Sequence, residues 1–108
     1  MIRKAFKMFV HPGQHAEYAR RHQPIWPELE QTLLAHGVQT YSIFLDGAAN
    51  ELFAYVEFAD EKQWNAIAQT DVCRHWWRHM RELMPSHPDD TPKSVELGEV
   101  FHIENRAG

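Results

Sequence analysis

Val38-Gln-Thr-Tyr-Ser-Ile-Phe-Leu45, the turn pair Asp46-Gly47 and Leu52-Phe-Ala-Tyr-Val-Glu-Phe58 read together as a β-hairpin. Both runs are rich in β-branched and aromatic residues, and a Gly-containing polar break between two such runs is a turn signal. The alternation is unusual because neither run is apolar on one face only. Tyr41, Ile43 and Leu45 share a face of the first strand, with Phe44 on the other. Leu52, Val56 and Phe58 share a face of the second, with Phe53 and Tyr55 behind them. A sheet built on this hairpin needs cover on both sides.

The flanking chain supplies one cover. Ile2, Phe6, Met8 and Val10 give residues 2–10 the period of a strand, with Lys4 as the exception, and Pro12-Gly13 breaks it. Residues 14–22 predict a first helix and 27–36 a second, stopped at Gly37. Beyond the hairpin, Asp60 with Gln63 is a variant capping box opening a helix to about Gln69. Thr70-Asp71 caps a further helix running to Met84, where Pro85 ends it. A proline-rich loop over 86–92 leads to a last strand, Val95 to Ile103, interrupted at Gly98. The order is the α+β, ferredoxin-like βαββαβ motif: an antiparallel sheet with helices on one face. The other apolar face predicts a second copy of the chain packed sheet to sheet, a homodimer of the dimeric α/β-barrel type.

The 108 residues suffice for one domain, 1–108, and 44% hydrophobic with 24% charged residues is a globular composition. A net charge of −4 with eleven dispersed basic residues argues against a nucleic-acid partner. The lone cysteine, Cys73, excludes an internal disulfide and suits a reducing compartment. No stretch approaches a membrane span, and Met1-Ile-Arg-Lys-Ala-Phe-Lys7 lacks the apolar run of a leader. A cytoplasmic protein is expected.

Chemistry concentrates in Tyr18-Ala-Arg-Arg-His22-Gln-Pro-Ile-Trp-Pro27. Tyr18 and His22, four apart on a helix, project from one face and can address one small molecule. Pro24 disfavours helix at Gln23, so His22 falls in the last turn, where the carbonyl end favours an imidazolium. Burial beside Trp26 or the tryptophan pair would favour the neutral ring instead. Pro27 then opens the second helix, with Glu28 and Glu30 in its first turn.

The second informative stretch is Cys73 to Met84, where Cys73, Trp76, Trp77, Met80 and Met84 form an apolar stripe. Adjacent helical residues point about 100° apart. One of Trp76 and Trp77 therefore fits the core while the other reaches an edge. An indole offers a flat apolar face and one N–H donor, which complement the C–H patches and hydroxyls of a sugar. His11/His15 and His75/His79 have the i, i+4 spacing of a metal-chelating helix, but neither pair sits in an HExxH pattern and no carboxylate cluster accompanies them. No metal and no cofactor is expected, because phosphate-cradling loops, nucleophile elbows and dinucleotide fingerprints are all lacking.

These residues closely resemble the L-rhamnose mutarotase family. The resemblance is carried by Met1-Ile-Arg-Lys-Ala-Phe6, Tyr18-x-x-x-His22-x-Pro24-Ile-Trp-Pro-Glu-Leu29, Tyr41, Thr70-Asp-Val-Cys73, Trp76-Trp77, Met84-Pro85 and Glu99-Val-Phe101. It spans residue 1 to about 102. It implies a cytoplasmic, dimeric α+β isomerase that interconverts the α and β anomers of L-rhamnose without a cofactor. It further implies that His22 is the proton donor and that Tyr18, Tyr41, Trp76 and Trp77 bind the sugar. Tyr41 and His102 are next in line for the acid–base role. Two other classes fit the residues: a cofactor-independent oxygenase or haem-handling protein on the same dimeric architecture, and a non-catalytic sugar sensor.

Overall fold

The computed structural model of the chain describes residues 1–105, so the last three positions of the expected domain lie outside the described residues. Its elements run β1 (Ile2–Phe9), α1 (His15–Arg21), α2 (Pro27–Ala35), β2 (Val38–Asp46), β3 (Glu51–Phe58), α3 (Glu61–Ile67), α4 (Asp71–Met80) and β4 (Val95–Leu97). The strands form one antiparallel sheet in the order β2-β3-β1-β4. The expected ferredoxin-like βαββαβ fold is thus the observed one.

Register decides which side chains meet the helices. Met8 lies opposite Leu52, Phe6 opposite Ala54 and Tyr41 opposite Val56, which puts them all on one face. On that face Leu52, Val56 and Phe58 are 1%, 0% and 0% exposed and pack into one core with Tyr18, Leu29, Trp76 and Met80 of the helices. Full enclosure is worth roughly 1.5–3 kcal/mol for each Val, Leu or Phe. A register irregularity between Val38 and Thr40 resets the alternation, so Val38 and Tyr41, three apart, both face inward. Tyr41 reaches the helix side because of that bulge.

The helix ends follow the sequence signals. Asp60 accepts the Gln63 N–H at 3.0 Å and Thr70 accepts the Cys73 N–H at 3.4 Å; such caps are worth about 0.5–2 kcal/mol each. Gly37 closes α2 at φ +90, a region that only glycine enters freely. A Cβ there would meet Ala59 Cβ at 3.4 Å, so the backbone conformation rather than a lack of space calls for glycine.

Two boundaries differ from expectation by more than two residues. α4 ends at Met80 rather than Met84, and the chain tightens into turns with Leu83 N–H donating to Met80 O at 2.9 Å and Met84 N–H to Arg81 O at 3.4 Å. The predicted strand 95–103 is regular only over Val95–Leu97, paired with Ala5–Lys7 of β1. Past Gly98 the backbone has no ladder partner within the described chain, and Val100, Phe101 and Ile103 stand 98%, 77% and 77% exposed. The root of this arm is held by Arg3, whose guanidinium donates twice to Glu99 at 3.0 and 2.9 Å.

The outer sheet face carries Phe44 and Phe53, paired across β2 and β3 and 67% and 39% exposed, with Val95 and Leu97 on β4. Among the described residues no helix is long and apolar enough to cross a membrane.

Candidate active site

A cavity of about 750 Å³ opens between the inner face of the sheet and the helices, within the size range of small-molecule sites. Tyr18 and His22 enter it from α1, Tyr41 from β2, and Trp76 and Trp77 from α4. The structure therefore brings all five expected site residues to one space.

The centre of the arrangement is the C-terminal end of α1. His22 occupies the C-cap position, with φ −96 and ψ 0, and its Nδ1 donates to the Tyr18 carbonyl at 2.8 Å. A carbonyl only accepts, so Nδ1 carries the proton and Nε2 holds the lone pair of the neutral ring. The end of α2 repeats the device: His36 Nδ1 donates to the Thr32 carbonyl at 2.7 Å. That bond is a helix-end fitting and is not in itself a sign of catalysis. What distinguishes His22 is its surroundings. Its ring lies 4.5 Å from the Tyr18 ring and 5.3 Å from Trp76, edge-on at 88°, and it borders the cavity.

Burial sets the charge state of the site. Desolvation lowers the His22 pKa below that of a free imidazole, and the Tyr18 carbonyl bond, pulling the other way, is the smaller effect. Burial, not the helix C-terminus, wins the competition posed by the sequence. Burial also raises the phenols of Tyr18 and Tyr41, which therefore remain protonated. Cys73, on the same cavity wall, is pushed up to about 11 and stays a neutral thiol. At neutral pH this cluster is uncharged, with one basic nitrogen, two phenols and two indoles.

The tryptophans divide as adjacent helical residues should. Trp76 is buried at 7% exposure and Trp77 is half-buried, yet both border the cavity. Trp26 is not the neighbour of His22. It sits behind Trp76, ring centroids 5.0 Å apart at 82°, and against His79 at 5.2 Å. Trp64 of α3 was not singled out by the sequence, although it lines the cavity, lies parallel to Phe58 at 5.0 Å and stands 6.0 Å from Tyr41. Its signal was available: Trp64 and Ile67 are three apart on a capped helix. His15 also borders the cavity, one α1 turn before Tyr18, with Nε2 2.7 Å from Asn50 Oδ1.

The histidine pairs do not converge with other ligands. His11 precedes α1, so it is not on the same helix as His15, and His75 and His79 are exposed on α4. Among the described residues no three of His, Cys, Asp or Glu come together as a metal site. His102 lies on the exposed arm, 3.1 Å from Glu104, and does not line the cavity.

The sequence profile of the L-rhamnose mutarotase family matches residues 3–103. The chain belongs to that family. The L-rhamnose mutarotase of Enterobacter sp. (strain 638) is 60% identical over 104 residues, covering 96% of this chain and 100% of the relative. A crystal structure of an L-rhamnose mutarotase from Formosa agariphila superposes with a TM-score of 0.89 at 39% identity, over 96% of this chain and 100% of that one. A crystal structure of an antibiotic biosynthesis monooxygenase also superposes, with a TM-score of 0.62 over 94% of this chain and 100% of that one, but at 13% identity. That likeness concerns the fold alone and lends no weight to the oxygenase reading beside the mutarotase family match.

Proposed function

We propose that this mutarotase-family chain, acting as one domain, is an isomerase interconverting the α and β anomers of L-rhamnose, with His22 Nε2 as the group that moves the proton. The observation that carries the reading is the fixed tautomer of His22 beside Tyr18 at the edge of the cavity. The reaction exchanges one proton between two oxygens on the same carbon. Nε2 takes the proton from the C1 hydroxyl, C1=O forms as the C1–ring-oxygen bond breaks, and the imidazolium returns the proton to the departing ring oxygen. The open aldehyde rotates about C1–C2, and the same steps in reverse close the ring on the other face. His22 is thus acceptor first and donor second, and one nitrogen within reach of C1 serves both oxygens. Such assistance is typically worth about 10²–10⁴-fold.

The surrounding residues hold the sugar. The phenols of Tyr18 and Tyr41 remain protonated, so they hydrogen-bond to hydroxyls and leave acid–base chemistry to the imidazole. Trp76 and Trp77 offer apolar surface to the C–H patches. The steps transfer protons and open and reclose one C–O bond with no change of oxidation state, so acid–base assistance suffices without a metal or cofactor. Saturation transfer between the anomeric proton signals, with the spontaneous rate subtracted, tests the activity directly. No enhancement over buffer would leave a sugar-binding protein without catalysis.

A homodimer through the outer sheet face belongs to the same reading. Phe44 and Phe53 on β2 and β3, and Val95 and Leu97 on β4 across Lys7 and Ala5 of β1, are exposed apolar residues of this face, and the arm beyond it presents Val100, Phe101 and Ile103. Surfaces of this kind mark contacts rather than free exteriors. A cytoplasmic location suits the lone reduced cysteine and a metabolic sugar substrate.

A further inference from the structure

We infer that Arg21 is a positioning residue for the anomer exchange: it pins the end of α1 to the end of α4 and so holds the His22 imidazole against Trp76. Arg21 is the last residue of α1, and its side chain is only 11% exposed. Its guanidinium makes three directed contacts. Nε donates to Glu17 Oε2 at 2.8 Å on its own helix, Nη1 to the His79 carbonyl at 2.6 Å, and Nη2 to Glu82 Oε1 at 2.5 Å.

The placement of these contacts gives them their meaning. His79 O belongs to the last turn of α4, whose carbonyls lack partners inside the helix. Arg21 supplies one. Trp76 stands one turn upstream of that carbonyl, and His22 follows Arg21 in the chain. The two ends that carry the acid–base ring and its edge-on tryptophan are therefore fastened to each other at one point. α1 itself is weak: it has seven residues, no side-chain N-cap hydrogen bond, and it ends at His22. So short a helix has little orientation of its own and takes it from tertiary contacts. Tyr18 anchors the middle of α1 in the core, and Arg21 fixes its C-terminal end.

The two carboxylates also compensate the guanidinium charge, and burial alone, not the Arg21 charge, lowers the His22 pKa. Glu17 bonds to both Arg20 and Arg21, and Glu82 bonds to Arg21 from the turn that follows α4. A lysine cannot stand in, because one ammonium cannot make three contacts in the geometry of a planar fork.

This inference rests on the catalytic role proposed for His22, and the experiment separates the two. Arg21→Met, Arg21→Lys, Glu82→Gln and His22→Asn are compared by saturation-transfer exchange against rhamnose concentration. The His22 imidazole ¹H and ¹⁵N signals, set by its tautomer and by the Tyr18 and Trp76 ring currents, are recorded alongside. Displacement of a reacting group by about 1 Å can cost about 10²-fold. Arg21→Met should lose about 10–10²-fold in kcat with KM nearly unchanged, shift the His22 signals, and keep the circular dichroism spectrum. Arg21→Lys should fail to rescue, and Glu82→Gln should show a smaller effect of the same kind. A folded Arg21→Met with unchanged kcat and unchanged His22 signals overturns the inference. Should Arg21→Met not fold, Glu82→Gln decides, since its exposed carboxylate is dispensable to the core: unchanged kcat and His22 signals there overturn it equally. A fully active His22→Asn would instead remove the catalytic role of His22, and the positioning role with it.

Discussion

His22 takes two different things from Tyr18: the Tyr18 carbonyl accepts its Nδ1 proton at 2.8 Å, and the Tyr18 ring lies 4.5 Å from its own. The backbone contact selects the tautomer and leaves Nε2 as the basic atom. The ring contact removes water and weakens the imidazolium. One residue, placed a helical turn away, fixes both the direction and the basicity of the imidazole.

The pH dependence follows with a definite sign. Burial lowers the folded-state pKa of His22 below the ordinary imidazole value, which is about 6.5. In the proposed reaction the free enzyme needs Nε2 unprotonated, so kcat/KM should rise with pH, with its limb below about 6.5, and be level by neutrality. The phenols of Tyr18 and Tyr41 are raised, so no alkaline fall from them is expected within the ordinary tyrosine range, near pH 10. Folding stability has the same sign. As pH falls through about 6.5 the unfolded chain binds a proton that folded His22 still refuses, and stability declines until the folded pKa is reached. A kcat/KM profile that fell between pH 6 and 7 on raising pH would make the imidazolium the working form in the free enzyme.

Tyr18→Phe should separate binding from folding. No described residue hydrogen-bonds the Tyr18 hydroxyl, so its removal leaves no buried protein group unpaired. The variant should melt within about 1 kcal/mol of the parent, since the ring that fills the core remains. It should lose sugar affinity, seen as a raised KM, and keep a measurable kcat, whereas His22→Asn should lose most of the catalysed exchange. A Tyr18→Phe protein as inactive as His22→Asn would promote the phenol to a proton-transfer role.

The exposed pair Phe44 and Phe53 predicts the effect of charge on assembly. Obligate interfaces usually exceed about 2,000 Å² in total and are apolar at their centre. Phe44→Lys puts an ammonium on the outer face of β2 and should convert a dimer to monomer in sedimentation equilibrium. A parent protein that sediments as a stable folded monomer at micromolar concentration removes the dimer altogether.

The sequence made the fold legible wherever a signal was local. The hairpin over 38–58, the Asp60 and Thr70 caps and the Gly37 stop are each set by neighbouring residues, and each stands where the pattern put it. The last strand was overextended because Val95, Leu97, Phe101 and Ile103 keep the alternation of a strand, while pairing depends on a partner the pattern cannot see. The site was legible on α1 and α4, where i, i+4 spacing and an adjacent tryptophan pair carry information. Trp64 was not, because its place opposite Tyr41 depends on how α3 folds back over β3. The Gln39 bulge was equally hidden, and it alone turns both Val38 and Tyr41 inward.

Exhaustive chelation should leave anomer exchange intact. Among the described residues no three His, Cys, Asp or Glu converge, and the proposed steps use Nε2 alone. Exchange should be unchanged within error after dialysis against a strong chelator, measured at matched pH. Loss of activity restored by zinc would reopen the His75/His79 pair on α4, whose spacing is that of a chelating helix.

The cavity wall sets a preference among hexoses. Ile25, Leu29, Leu33 and Met80 are aliphatic side chains among those that line it. Burying a methyl there gains apolar contact, whereas a hydroxymethyl would bring a hydroxyl needing a partner that aliphatic side chains cannot give. Discrimination by one such group in an apolar pocket is typically about 1–3 kcal/mol, or about 10–200-fold in kcat/KM. L-rhamnose should therefore exchange faster than L-mannose, its 6-hydroxylated counterpart, and the preference should be incomplete. Since the group lies away from C1, most of the difference should appear in KM. Equal kcat/KM for the two sugars would mean that C6 points to open solvent rather than to this wall.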